Sequence, residues 1–245
     1  SGVGVPAGFG VLAVGAATAG SVLRPAATTG LVGLRPTVGL ISRHGVVPVS
    51  YTLDTPGPMA KTVDGVAAML DVIAGPDRND SRSERSPLVL AGAYRRAARN
   101  HTLQGLRIGI VRDFMGGHAD VDAAVEHVVG LLRRRGGDVI DVALPEAVKT
   151  ASEKLPQVIG AEFRPLLEAY LSGLDAGAPD DLDEVADAAL IWAGALPEAA
   201  INPALLEAMQ AEVDHPGLAD TEYLYTVSYL YSAARSALLA RLDAD

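Results

Sequence analysis

Leu106-Arg-Ile-Gly-Ile-Val111, then a Gly-containing loop through His118, then Val121 to Arg135, Gly136-Gly137 and Val139 to Leu144: this stretch decides the fold class. The first run is short and apolar, as a buried strand requires. In the second, Val125, Val128, Val129 and Leu132 recur at helical spacing and predict an inward-facing stripe. The glycine pair ends the helix, and the third run reads as another strand. A strand, a helix and a strand in this order predict a parallel pair joined by a right-handed crossover. Arg133-Arg134-Arg135 falls at the predicted helix C-terminus, where cations suit the macrodipole, and its reading is structural.

Upstream, the first 75 residues are dense in Gly, Pro and Thr. Short apolar runs there, Leu31-Val32-Gly33-Leu34 and Gly45-Val46-Val47, suggest strands and turns packed closely together. Thr62 is placed to cap a helix over Val63 to Ala74, with Val66, Met69, Leu70 and Ile73 on one face and Gly75-Pro76 as its terminator. Asp77 to Pro87 is polar and reads as a surface loop. From Glu153 onward the pattern is almost wholly helical, broken at Gly173–Pro179, Pro197–Pro203 and His215–Gly217. The expectation is an α/β chain with a sheet-containing core over 1–145 and a mainly helical region over 146–245, read as one partial domain. Ser1 opens inside an apolar, Gly-rich run and Asp245 closes directly after a helix, and neither has the look of a domain boundary.

The composition narrows the function classes. Apolar residues make up 49% of the 245 and aromatic residues only 4%, so the core is built from Val, Leu, Ile and Ala. A net charge of −10 argues against nucleic acid as a partner, because phosphates need a basic face. The sequence has no cysteine, which excludes disulfides, thiolate metal sites and a cysteine nucleophile, and is compatible with a cytoplasmic location. Residues 1–23 carry no charge, but no basic region precedes them as a signal peptide requires. Glycines and Pro6 interrupt them throughout, so a tightly packed, buried segment is expected in place of a membrane span.

Chemistry-bearing residues are few. The histidines at 44, 101, 118, 127 and 215 form no close pair. His118 with Asp120 and Asp122 has metal-ligand residue types, yet the loop leads into a helix whose first turn favours carboxylates; no metal and no cofactor is expected. The glycines of Gly105-Leu-Arg-Ile-Gly109 flank a strand and do not open a helix, so they are not a dinucleotide fingerprint. The run that stands out is Gly15-Ala-Ala-Thr18-Ala-Gly20-Ser21-Val-Leu-Arg-Pro25-Ala26. Small residues on both sides of a serine allow a sharp turn that brings several N–H groups near one point, where a developing oxyanion can be held. By spacing alone a serine among glycines is more often simply a turn.

That run resembles the amidase-signature pattern G-T-[DE]-x-x-G-S-[IV]-x-x-P-[AS]. Further matches follow in order: Gly30 to Thr37, Val38 to Arg43, Gly45 to Pro48, Asp54 to Val63, Asp71 to Gly75, Leu106 to Ile110 and Gly136 to Pro145. The chain is similar to the peptide-amidase-like branch of that family, and also to the A subunit of glutamyl-tRNA amidotransferase. The resemblance implies part of the amidase-signature fold, a mixed β-sheet core flanked by helices. It implies hydrolysis of carboxylic amide C–N bonds, at peptide C-terminal or non-peptide amides, through a serine–serine–lysine relay with Ser21 as nucleophile. The backbone N–H groups of Thr18, Ala19, Gly20 and Ser21 would hold the oxyanion. A free hydroxyl is a poor nucleophile until a neighbour takes its proton. The lysine base and bridging serine implied by the family precede the nucleophile, whereas Lys61, Lys149 and Lys154 all follow it. Ala17 stands at the acidic position of the family run, and Ala19 stands where the peptide-amidase-like branch has an acidic residue. The expectation is therefore an amidase-like hydrolase, inactive as these 245 residues alone, or a catalytically dead binding or scaffold protein. Its partner would be a small-molecule amide, with no nucleic acid and no membrane, and association into a homo-oligomer is plausible.

Overall fold

The structure, a computed structural model, describes residues 1–88, 90–99, 102–195 and 217–243. In chain order the elements are β1 (Leu12–Ala17), α1 (Leu23–Thr28), β2 (Val32–Gly33), β3 (Thr55–Ala60), α2 (Val63–Ile73), α3 (Ala93–Ala98), β4 (Arg107–Val111), α4 (Ala119–Arg134), β5 (Asp138–Val142), α5 (Glu146–Glu153), α6 (Leu155–Leu171) and α7 (Leu182–Ala195). Helical segments at Thr221–Tyr225 and Tyr231–Asp243 follow. Antiparallel and parallel pairing both occur, so the expected mixed α/β class holds. The chain divides into two compact units, Ser1–Arg99 with Leu155–Tyr225, and Asn100–Lys154 with Thr226–Asp245.

The first unit is built on an antiparallel sheet in the order β1-β3-β2. Its central strand is not one of the runs that the sequence pattern favoured. Of these, Val32–Gly33 forms β2, while Gly45–Val47 is turn and loop. The centre is Thr55-Pro-Gly-Pro-Met-Ala60, buried along its whole length. Proline cannot donate to a ladder and is rare in central strands. The geometry resolves this, because successive residues of a strand turn their backbone groups to opposite sides. The Leu34 N–H donates to the Pro58 carbonyl at 3.1 Å, so Pro58 and Pro56 direct their backbones toward β2, which pairs over Val32 and Gly33 only. The donors of Thr55, Gly57 and Met59 remain for β1, which pairs from Leu12↔Ala60 to Ala17↔Thr55.

α2 begins where expected, with Thr62 Oγ1 accepting from the Gly65 N–H at 3.1 Å. Val66 and Leu70 are buried, while Met69 and Ile73 are half-buried. A small core of Ala17, Val22, Ala26 and Met59, with Leu31 against it, locks β1, α1 and β3 together. Leu167, Leu171 and Leu182 form a second core that joins α6 to α7 across the expected break at Gly173–Pro179. The breaks expected at Pro197–Pro203 and at His215–Gly217 lie wholly or mostly outside the described residues.

Two expectations need correction in this unit. The segment Asp77–Pro87 is not purely a surface loop, because Asp80 and Ser83 are buried. Residues 1–23 are only partly a buried segment: Gly2 and Val5 are buried, whereas Val3, Phe9 and Val11 are exposed. β1, an edge strand, adds to this, its alternating side chains leaving Leu12 and Val14 exposed. Among the described residues no helix is long and apolar enough to cross a membrane.

The second unit contains the stretch that decided the fold class. β4 and β5 pair in parallel from Arg107↔Asp138 to Val111↔Val142, with α4 between them in sequence. Val129 of α4 is buried, and Val125 and Leu132 are half-buried. Val128 is 51% exposed, against expectation. α4 packs on β5, and a two-stranded sheet is too narrow to cover the whole stripe. Arg133 and Arg134 occupy the last turn of α4. Helix begins earlier than expected, with α5 packed against Tyr231–Asp243.

Candidate active site

Ser21 stands in the turn between β1 and α1 and is exposed to solvent. The elements on either side fix that turn. Ala17 closes the ladder opposite Thr55, and Val22, fully buried, anchors the start of α1. The glycines nearby lie close to other side chains. A Cβ on Gly15 would lie 3.0 Å from the Met59 methyl, and one on Gly20 would lie 3.1 Å from the Arg24 side chain. The Arg24 N–H donates to the Gly20 carbonyl at 2.8 Å, starting the helix. Among the described residues nothing accepts from the backbone N–H groups of Ala19, Gly20 or Ser21, and the Ser21 hydroxyl has no hydrogen-bond partner. The turn thus offers free donors beside a free hydroxyl.

Thr18 is the fixed point of this turn. Its hydroxyl donates to Asp54 Oδ1 at 2.7 Å, and its carbonyl accepts from Arg35 Nη2 at 3.3 Å. Asp54 is 6% exposed, and its Oδ2 accepts from the Val49 and Ser50 N–H groups at 2.8 and 2.9 Å. Ala17 is buried in the core and Ala19 is exposed. Neither side chain hydrogen-bonds, so the loop depends on Thr18 for its polar attachment.

Beyond Asp54 the polar structure continues. Ser50 donates through its hydroxyl to Glu162 Oε2, which also accepts from the Thr52 N–H at 3.0 Å. Glu162 Oε1 accepts from the Thr52 hydroxyl and from Tyr223 Oη at 2.9 Å. A cavity of about 170 Å³ opens over this segment, lined in part by Arg43, His44, Ser50, Tyr51, Asp54 and Asp80. Ser21 is not in its wall. Asp80 is held by Arg43 at 2.7 Å, and hydrogen bonding to that guanidinium lowers its carboxyl to about 2.

The other residues singled out from sequence are scattered. Lys149 pairs with Asp113 at 2.6 Å in the second unit, and Lys61 is exposed just after β3. His118 precedes α4 as its cap residue, and Asp122 accepts from the Gly116 N–H at 3.0 Å. His101 and His215 lie outside the described residues. Among the described residues no group of His, Asp and Glu is arranged to hold a metal ion. Asp54, Arg35 and Glu162 went unmarked by sequence reading. Asp54 opens one of the matching motifs, and Glu162 lies one turn after the apolar Val158, which is the signal that could have exposed its burial.

A family model described as Amidase matches residues 1–242. The A subunit of glutamyl-tRNA(Gln) amidotransferase from Symbiobacterium thermophilum is 37% identical over 177 residues, 66% of this chain and 35% of that protein. The native peptide amidase from Stenotrophomonas maltophilia superposes with a TM-score of 0.81 at 31% identity, covering 99% of this chain and 50% of that one. An amidase family protein from Bacillus anthracis gives 0.79 at 27% identity, over 99% and 46%. The chain spans about half the length of these solved amidases and about a third of the curated relative.

Proposed function

The chain belongs to the amidase family, and from that premise we propose that it carries the nucleophile loop of a serine hydrolase acting on carboxylic amides. Ser21 attacks the amide carbonyl, and the N–H groups of Thr18, Ala19 and Gly20 hold the oxyanion. A small-molecule or peptide C-terminal amide is the substrate class. The observation that carries this reading is the turn itself, in which an exposed, unpartnered serine hydroxyl sits beside unused backbone donors. Donors placed where negative charge develops lower the barrier to acyl transfer.

The hydroxyl also needs a base. None of the three lysines precedes Ser21 in the sequence, and no side chain among the described residues hydrogen-bonds its Oγ. The 245-residue chain alone is therefore expected to stay unlabelled at Ser21 by a fluorophosphonate probe. Labelling that disappears in Ser21→Ala would show that the chain activates its own nucleophile. In the longest natural form of the protein, ammonia release from peptide, aryl or fatty amides is expected, and it should vanish with Ser21→Ala.

Ala17 and Ala19 favour a second reading, a catalytically silent binding or scaffold protein. No turnover of any of these amides by the longest form would favour it over the first, whereas turnover indifferent to Ser21→Ala would exclude Ser21 as the nucleophile.

A further inference from the structure

The loop from Thr18 to Ser21, which follows Ala17 at the end of β1 and contains Ala19, has no acidic side chain of its own, yet it is anchored. Thr18 is tied twice to the segment Val49–Asp54. Its hydroxyl reaches Asp54 Oδ1 at 2.7 Å, and the Arg35 Nη2 that meets its carbonyl also donates to the Leu53 carbonyl at 2.6 Å. Asp54 cannot easily shift, being buried and held through Oδ2 by the Val49 and Ser50 N–H groups. At the other end of the loop, Val22 is locked in the core. Between these anchors Ala19, Gly20 and Ser21 have no hydrogen bond through side chain or N–H among the described residues.

We propose that Asp54 is a positioning residue for the oxyanion loop: acting through Thr18, with Arg35 as a second strut, it sets where the N–H groups of Ala19 and Gly20 stand relative to Ser21. This rests on the reading of Ser21 as nucleophile. An oxyanion hole lowers a barrier only if its donors are fixed before charge develops, and a misplacement of about 1 Å costs about 100-fold in rate. A loop of Ala, Gly and Ser has almost no side-chain packing with which to fix itself. The Thr18–Asp54 bond supplies that rigidity from the segment after β2.

Two variants isolate the bond. Thr18→Val keeps the shape of the side chain and removes the donor, whereas Thr18→Ser keeps the donor. In backbone ¹⁵N relaxation on the chain, Ala19, Gly20 and Ser21 should fall from an order parameter of about 0.85 to below about 0.6 in Thr18→Val. Thr18→Ser should restore them, and amides of β1 and α2 should not move. Unchanged order parameters in Thr18→Val would overturn the proposal. In a form that hydrolyses amides, Thr18→Val should lower kcat by about 100-fold with KM within about twofold, and Thr18→Ser should recover most of it. Loss confined to KM, or no loss, would overturn the catalytic role. A wild-type protein that turns over no amide would sink the nucleophile reading, and the relaxation data would still decide whether Asp54 orders the loop.

Discussion

Asp80 is buried beneath Arg43, whose Nη2 and Nε reach its two oxygens at 2.7 and 3.1 Å, and the N–H groups of Arg43 and Arg82 add further donors at 2.9 and 3.0 Å. The guanidinium hydrogen bond outweighs burial and brings the carboxyl to about 2. Because the folded value lies below the unfolded one, this carboxylate stabilises the fold above about pH 4, and the contribution drains away as pH falls from there through about 2. Its size is about 2 kcal/mol. Asp80→Asn should lower the urea unfolding free energy by about that amount at pH 7, with the gap to wild type closing near pH 2. Two curves that stay parallel from pH 7 to 2 would show that Asp80 does not supply the acid limb. Single residues of this kind were the least legible part of the sequence. Ser21 was singled out by the resemblance of its run to a family pattern, but Asp80 and Asp54 act on partners 37 and 36 residues away. No local pattern records such pairings.

At the scale of elements, legibility followed locality. β4, α4 and β5 were readable because each carries its own periodicity and the glycines between them fall at the joints. β3 was not readable, since two prolines in six residues contradict a central strand until the shortness of β2 is known. The same crowding makes β3 intolerant of change. The chain crosses over Gly57 so closely that a Cβ there would lie 2.3 Å from the Leu34 carbonyl oxygen, which is backbone and cannot swing aside. Gly57→Ala should therefore cost about 3 kcal/mol, at the upper end of ordinary overpacking. Gly117→Ala, where a new Cβ meets nothing within 4 Å, should stay within about 0.5 kcal/mol of wild type. Thermal unfolding of the two variants checks this, and an unperturbed Gly57→Ala would mean that the strand and the Leu34 crossing are spaced more widely than described.

The first unit is assembled from stretches far apart in the chain, and Glu162 is one place where they are joined. Its carboxylate on α6 collects the Ser50 and Thr52 hydroxyls, the Thr52 N–H and Tyr223 Oη, partners separated from it by 112, 110 and 61 residues. A buried carboxylate is tolerable only when its oxygens are satisfied in this way. A helical reading of the sequence could not reveal it, since the donors come from a loop and from Thr221–Tyr225. Tyr223 reports on the junction. Burial first, and then the hydrogen bond and negative charge of Glu162, push its hydroxyl up to about 12. A phenol whose folded value is raised stabilises the fold fully below about pH 10, and that contribution is lost as pH climbs from there through about 12. Tyr223→Phe deletes one donor to a buried carboxylate and should cost about 2 kcal/mol at pH 8. It should also remove most of the wild-type decline between pH 10 and 12, so that the two proteins converge at the alkaline end. Phenolate absorbance that titrates Tyr223 near 10, with unfolding curves offset equally at both pH values, would show that Glu162 and Tyr223 do not meet and that the two stretches are held together elsewhere.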